Sequence, residues 1–520
     1  MTGAPLGGWL TVGDDLIATW TWPGAPRGQG VLLLPPIGYE YSSAHRLLVA
    51  LGRELSGRGA QVLTLDYPGT GDSSGSAPTT AAWRHSVTAG AARLCATGAS
   101  SIALVGLGWG GTLALANGEA VGARCVVALA PSLSGRRYVR QLRLLGVPFP
   151  DDSGDVSVGG YALPGGLLAD LSEITVTAPA SCPVLLVHAR APAGQEGNVT
   201  SWQDDGLIAA LERPAEDAEV DPDLVRSVAN WVVPEPLPPG EHREPLPAEA
   251  ALDGLTESFV RLGPADLPGV LTLPDQPRGL LVLLNSGSDP HSGPGRSWVE
   301  LARTTAAQHG WAALRFDARG WGKAPPGPAG DGRPYDAHLL EDLRDVLVDL
   351  RRRGWTTVVV AGLCAGAWMA LKAARTEDVE GAIALNPQLY WEDGDPVEAL
   401  LEDTVARRAE QTATIRADAE AGRWDAEDRI GLRNAAGAWL DALHDRGQPV
   451  ELVFAGDDPG LSYLHDRLRL RVAAVAPVVR VVRLTGVDHG MQQVWARARV
   501  FDAVGQALSR WGEGPGPAGL

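Results

Sequence analysis

Apolar residues fall in short unbroken runs along this chain, separated by stretches of mixed polarity. In the first half, VLLL (31–34), VLTL (62–65), SIALVG (101–106), VVALAP (126–131) and PVLLVHA (183–189) read as strands. In the second, LLVLL (280–284), AALRF (312–316), TTVVVAG (356–362), GAIALNP (381–387), PVELVFAG (449–456) and residues 481–485 read the same way. Continuous rather than alternating apolar runs, bounded by Gly, Pro, Asn or Asp, are the pattern of strands covered on both faces. The amphipathic stretches between them, such as EYSSAHRLLVALGREL and SWVELARTTAAQHG, have helical spacing. Alternation of the two predicts α/β architecture with mostly parallel sheets.

The same order of elements occurs twice. Residues 30–75 and 279–324 each give a strand, a Gly/Pro/Ser loop, a helix, a second strand ending at Asp66 or Asp317, and a Gly-rich turn. A further strand then leads to LVGLGWGGT (104–112) or VAGLCAGAW (360–368). A period this long is that of two tandem globular domains, not of a solenoid. The Pro- and charge-rich stretch VVPEPLPPGEHREPLPA (232–248) reads as a stiff linker. The expected division is therefore residues 1–240, residues 241–510 and a flexible tail, 511–520. Residues 392–447 are charged and amphipathic, and read as a helical lid inserted into the second repeat alone.

The two turns differ at their tips. A strand ending in Gly-x-nucleophile-x-Gly and running into a helix forces its central residue into a sharp bend above the sheet. Cys364 occupies that centre in the second half and Gly108 in the first. At the positive end of the following helix a thiol is favoured as thiolate, the nucleophilic form. Nucleophilic catalysis also needs a base and a group to orient it. His489 follows the last strand, and Asp457 and Asp458 follow the strand before it, so Cys364, Asp458 and His489 stand in the order nucleophile, acid, base; Asp458 is preferred to Asp457. The expected oxyanion donors are the N–H of Ala365 and one from the NSGSDPHSGPGR loop, at Gly287 or Ser288. His291 and Arg296 in that loop, with Trp321 and Trp391 near strand ends, are candidates for the substrate pocket. Asp66 and Asp317 read as structural. The first half lacks all three catalytic groups: Gly108 has no side chain, no Asp follows VLLV, and no His precedes its terminal helix.

Both halves resemble the α/β-hydrolase superfamily. The second is similar to the acyl hydrolases of exosortase systems and related S33-type hydrolases over nearly all of residues 250–510, through SWVELARTTAAQHGWAALRFDARGWG, GLCAG, FAGDD and VDHGM. In the first, the likeness is carried by residues 30–135. The resemblance implies two tandem α/β-hydrolase-like domains, the first a degenerate copy. Such relatives commonly carry Ser at the elbow, so Cys364 is a departure, and a thioacyl intermediate can be handed to an alcohol or amine as well as to water.

Composition narrows the classes. The 520 residues carry a formal charge of −18 with no evident compensating basic block, which argues against nucleic acid and anionic membranes as partners. The start has no signal-peptide pattern and no run suits a membrane span. The four cysteines show no CxxC or zinc spacing, so no metal or other cofactor is expected and the thiols are expected to be reduced in the cytoplasm. Cys95, Cys125 and Cys182 read as small buried hydrophobes. Abundant Ala, Gly, Arg and Pro with only 3 Met suggests a GC-rich bacterial source, compatible with a step in small-molecule biosynthesis. The expected function is acyl transfer on a small-molecule ester or thioester, free or carrier-protein-bound, as hydrolase, acyltransferase or cyclase. A homodimer is compatible with this reading. The alternative is a catalytically silent scaffold that binds a ligand or carrier.

Overall fold

The computed structural model describes residues 4–511, apart from 388–434 and the positions 26, 76–77, 189–193, 212, 214, 216, 239, 241–243, 329, 333, 466–468 and 477. The chain divides into two compact units, Met1–Leu252 with Glu257–Val260, and Asp253–Thr256 with Arg261–Leu520. The division falls a short way beyond the proline-rich stretch.

In the first unit nine described strands form one sheet, in the spatial order Leu6–Val12, Asp15–Trp22, Gln61–Leu65, Gly30–Leu34, Ile102–Leu107, Cys125–Leu129, Val184–His188, Val199–Gln203 and Gly194–Glu196. From Gln61–Leu65 to Val199–Gln203 the pairings are parallel, and antiparallel pairs close both edges. Two apolar clusters lie on its faces: Leu32, Leu34, Leu63 and Leu65 point into one, and Val31, Leu33, Val62 and Val105 into the other. This is why the strand runs carry no polar alternation.

The other nine-stranded sheet, which from Leu267 onward lies in the second unit, has the order Glu249–Leu252, Leu255–Leu262, Leu267–Leu273, Ala312–Phe316, Leu280–Leu283, Val358–Leu363, Gly381–Leu385, Val450–Ala455 and Val479–Leu484. It crosses over where the first does. Ala312–Phe316 lies between Leu267–Leu273 and Leu280–Leu283, just as Gln61–Leu65 lies between Asp15–Trp22 and Gly30–Leu34. Such doubly wound sheets present their strand carboxyl ends, and the loops that follow them, along one edge. Cys364, Asp458 and His489 all follow strands of this sheet.

Three expectations are corrected, and a fourth falls mostly outside the described residues. An insertion interrupts the first repeat as well as the second: between Cys125–Leu129 and Val184–His188 stand helices Gly135–Leu145 and Gly165–Ser172 and a small sheet of Val147–Pro148, Val156–Val158 and Tyr161–Leu163. Of the lid expected at 392–447, residues 392–434 lie outside the described residues, and Ala435–Asp445 is a helix. The chain does hold a basic block, because Arg136, Arg137, Arg140 and Arg143 all stand exposed on helix Gly135–Leu145. Finally, Cys95 is exposed on helix Thr80–Ala96, whereas Cys125 and Cys182 are buried.

Candidate active site

The elbow at Cys364 follows from two glycines. A Cβ on Gly362 would lie 2.2 Å from the Gly366 carbonyl carbon, and one on Gly366 would lie 2.7 Å from the Asn285 oxygen. Only chains without side chains there let strand Val358–Leu363 turn directly into helix Ala365–Thr376. Cys364 is left at φ 55°, ψ −110°, with its N–H bonded to Leu385 O at 3.0 Å. A β-carbon-bearing residue with positive φ is strained, and strain of this kind persists where the surroundings impose it. Gly108 has nearly the same backbone, φ 52° and ψ −124°, and its N–H bonds Leu129 O at 2.8 Å. There, however, Glu40 takes up the space: its Oε2 lies 2.7 Å from where a Cβ on Gly108 would stand. The first unit keeps the bend and fills the place of the side chain with an internal carboxylate.

Asp458 and His489 meet in the second unit. Asp458 ends the loop after Val450–Ala455 and is 3% exposed, while Asp457 is exposed to solvent. One Asp458 oxygen caps the short helix Pro459–Tyr463 through the Gly460 N–H at 2.8 Å. The other lies 2.5 Å from His489 Nδ1. This fixes the ring so that Nδ1 is the protonated nitrogen facing the acid and Nε2 is turned away from it. Nε2 is buried and has no hydrogen bond of ordinary geometry among the described residues, yet the Cys364 sulfur is close enough to act on the ring's protonation. Burial disfavours charge on the imidazole; the hydrogen bond to Asp458, the interaction with the Cys364 sulfur and the negative charge of both outweigh it and raise the imidazole to about 9. The arrangement suits a thiolate beside an imidazolium.

Tyr335 completes the surroundings of the sulfur. Its hydroxyl lies 3.6 Å from Cys364 Sγ, its ring packs edge-on against Trp368, and its backbone is held at φ 68°. The Pro/Gly-rich loop that carries it has no periodicity, so pattern reading passes over it. Asn386 is also missing from the sequence reading. It is buried and accepts the Ala455 N–H at 2.7 Å while donating to His489 O at 2.8 Å.

The remaining expected residues are placed as follows. Ala365 opens the elbow helix, where its N–H has no intrahelical acceptor. Among the described residues the N–H groups of Gly287 and Ser288 also take no acceptor. Their loop is fixed from behind: Trp321 Nε1 donates to Gly287 O at 2.9 Å, and Ser288 Oγ donates to Gly332 O at 3.1 Å. Trp321, only 2% exposed, is therefore a brace beneath the loop and not a pocket wall. His291 is likewise buried, with its N–H 2.7 Å and its Nδ1 2.8 Å from the two oxygens of Asp317. That pair organises the loop from inside, with His291 held on Asp317. Arg296 stands half-buried at the start of helix Ser297–His309, in left-handed backbone. Trp391 lies outside the described residues. Among the described residues no group of three or more His, Cys, Asp or Glu could hold a metal, and no helix is long and apolar enough to cross a membrane.

A family model described as the alpha/beta hydrolase family matches residues 281–504. No curated protein matches the chain in sequence. Similar solved structures include dienelactone hydrolase from Anabaena variabilis ATCC 29413, 15% identical over 50% of this chain and 100% of that one, TM-score 0.35. The esterase PF2001 of Pyrococcus furiosus is 14% identical over 49% of this chain and 92% of its own, TM-score 0.35. Est1E from Butyrivibrio proteoclasticus, solved with ferulic acid bound, is 18% identical over 44% of this chain and 98% of its own, TM-score 0.35.

Proposed function

Residues 281–504 match the alpha/beta hydrolase family model, and we propose that the second half of the chain transfers acyl groups through Cys364, with His489 as acid and base and Asp458 as its orienter. The substrate class is an ester or thioester of a small molecule. The observation that carries this reading is His489 held against the buried Asp458 carboxylate while the Cys364 sulfur raises its pKa.

In the first step the Cys364 thiolate forms a C–S bond to the substrate carbonyl carbon, and the carbonyl π pair moves onto oxygen. The oxyanion is received by the N–H of Ala365 and by that of Gly287 or Ser288, donors with no competing acceptor among the described residues. Collapse expels the alkoxide or thiolate, which takes the Nε2 proton of His489. Water, an alcohol or an amine then gives a proton to Nε2, attacks the thioester and releases the acyl group, restoring the thiolate. Asp458 keeps the imidazole in the required tautomer throughout. The first unit, with Glu40 filling the elbow, supports a non-catalytic role. A cytoplasmic location with reduced thiols belongs to the same proposal.

The test is stoichiometric. Incubation with an acyl N-acetylcysteamine thioester or a p-nitrophenyl ester, followed by intact mass and peptide mapping, is expected to find one acyl adduct on Cys364. Cys364→Ala and His489→Ala should each abolish turnover. Undiminished turnover in Cys364→Ala would remove the nucleophile and the proposal with it.

A further inference from the structure

Helix Gly135–Leu145 in the first unit buries Tyr138, Val139 and Leu142 and presents Arg136, Arg137, Arg140 and Arg143 to solvent. Among the described residues none of these four guanidiniums has an ion-pair partner. The helix end and the strand after it expose apolar side chains as well: Leu144 is 78% exposed, Leu145 56% and Val147 55%. They make up half of the large hydrophobic residues exposed among the described positions. Clustered exposed apolar residues rimmed by charge mark a surface that another molecule covers, and arginine is enriched in protein interfaces. In a chain of net charge −18 such a cationic island is locally selective.

Charge complementarity decides the occupant. Its surface must be anionic around an apolar centre. An extended anionic bilayer meets the field of a chain whose net charge is −18, not that of the island alone. A second copy pairing symmetrically through the same helix would set arginines against arginines. A small acidic protein covers the island alone.

We propose that this face docks a small, acidic carrier protein that presents the acyl group as a thioester. The cargo rests on the acyl-transfer reading above, whereas the docking rests on the patch.

The experiment uses the full chain and an acidic acyl carrier protein in two forms, without cargo for binding and acyl-loaded for transfer, with an acyl N-acetylcysteamine thioester as the carrier-free donor. Combined Arg136→Glu, Arg140→Glu and Arg143→Glu should weaken carrier binding about tenfold or more and raise KM for the carrier thioester in step. Acylation from N-acetylcysteamine should stay within about twofold, because these residues are not part of the proposed acyl-transfer machinery. Leu144→Ser with Leu145→Ser, which alters only exposed side chains, should weaken binding in the same direction. Added salt should weaken it too. Absent carrier binding, or equal binding by the chain and both variants, overturns the proposal. So does patch-dependent binding to phosphatidylglycerol vesicles, or patch-dependent self-association in sedimentation, in place of carrier binding. Carrier binding that depends on the patch, together with no acylation from N-acetylcysteamine, would uphold the docking and strike the acyl-transfer reading instead.

Discussion

The side-chain amide of Asn386 donates to the carbonyl of His489 at 2.8 Å while its oxygen accepts the Ala455 N–H at 2.7 Å. One buried residue thus ties the loop of His489 to the strand end that leads to Asp458. At the matching place in the first unit stands Ala130, with φ 48° against 46° for Asn386. Each N–H bonds the neighbouring strand at 2.8 Å. The backbone is shared and the amide is not. Asn386→Ala should leave the Ala455 N–H buried without its partner, at about 1–3 kcal/mol, and release the histidine loop. A lower melting temperature is expected, together with a roughly tenfold fall in kcat and little change in KM. If kcat is unchanged in a variant whose melting temperature has dropped, Asn386 holds the fold and not the base.

The imidazole of His489 stands at about 9, above its ordinary 6.5. In the proposed acyl transfer the imidazolium gives its proton to the leaving group, so kcat/KM should fall as pH rises through about 9. Asp458→Asn removes a hydrogen bond and a charge that hold the proton on the ring, and should move this limb to lower pH. Stability follows the same sign: a pKa raised on folding contributes fully below about 6.5, and its contribution is lost as pH climbs to about 9. The difference in urea midpoint between the parent and His489→Gln should therefore be larger near pH 6 than near pH 9.5. A difference that widens with pH would contradict the pairing.

Thiol reactivity separates the four cysteines. Burial pushes the Cys125 thiol up to about 11 and also raises Cys182, so neither should alkylate in the folded protein. Cys95 is exposed and Cys364 half-buried beside His489. With limiting iodoacetamide near neutral pH, peptide mapping should find Cys364 modified first and Cys95 next. His489→Ala should slow Cys364 roughly tenfold and leave Cys95 unchanged. Cys95 reacting ahead of Cys364 would mean that the elbow sulfur is not held as thiolate.

The strands and the elbow were legible because their signals are local. Unbroken apolar runs mark a sheet covered on both faces, and Gly362 is required by a contact only four residues along the chain, with Gly366. Asp458 and His489 could be singled out because chain order alone places them after the last two strands. What stayed hidden depends on long-range packing. Nothing in RFDARGWG says that Trp321 turns inward to brace Gly287, or in SDPHSG that His291 is spent on Asp317. Asn386 reads as an ordinary turn residue until both of its partners, 69 and 103 positions away, are in place. The arginines of helix Gly135–Leu145 were in plain view, but a whole-chain charge of −18 averages over the face on which they gather.

Tyr335 lies in left-handed backbone at φ 68°, only 9% exposed, with its hydroxyl 3.6 Å from Cys364 Sγ. A conformation that a bulky residue rarely adopts is held here by packing against Trp368, which places the phenol at the sulfur. A hydroxyl there can donate to the thiolate before attack. Removing it by Tyr335→Phe keeps the ring, its packing and the fold. It should raise the thiol pKa, read as a shift of the acid limb of iodoacetamide alkylation to higher pH. A hydrogen bond to a charged sulfur at this distance contributes on the order of 1 kcal/mol, so kcat/KM should fall about fivefold. Tyr335→Ala should cost more, because it also frees Trp368. An alkylation profile unmoved in Tyr335→Phe would show that the hydroxyl does not reach the thiolate in solution, and would reduce Tyr335 to a wall of the site.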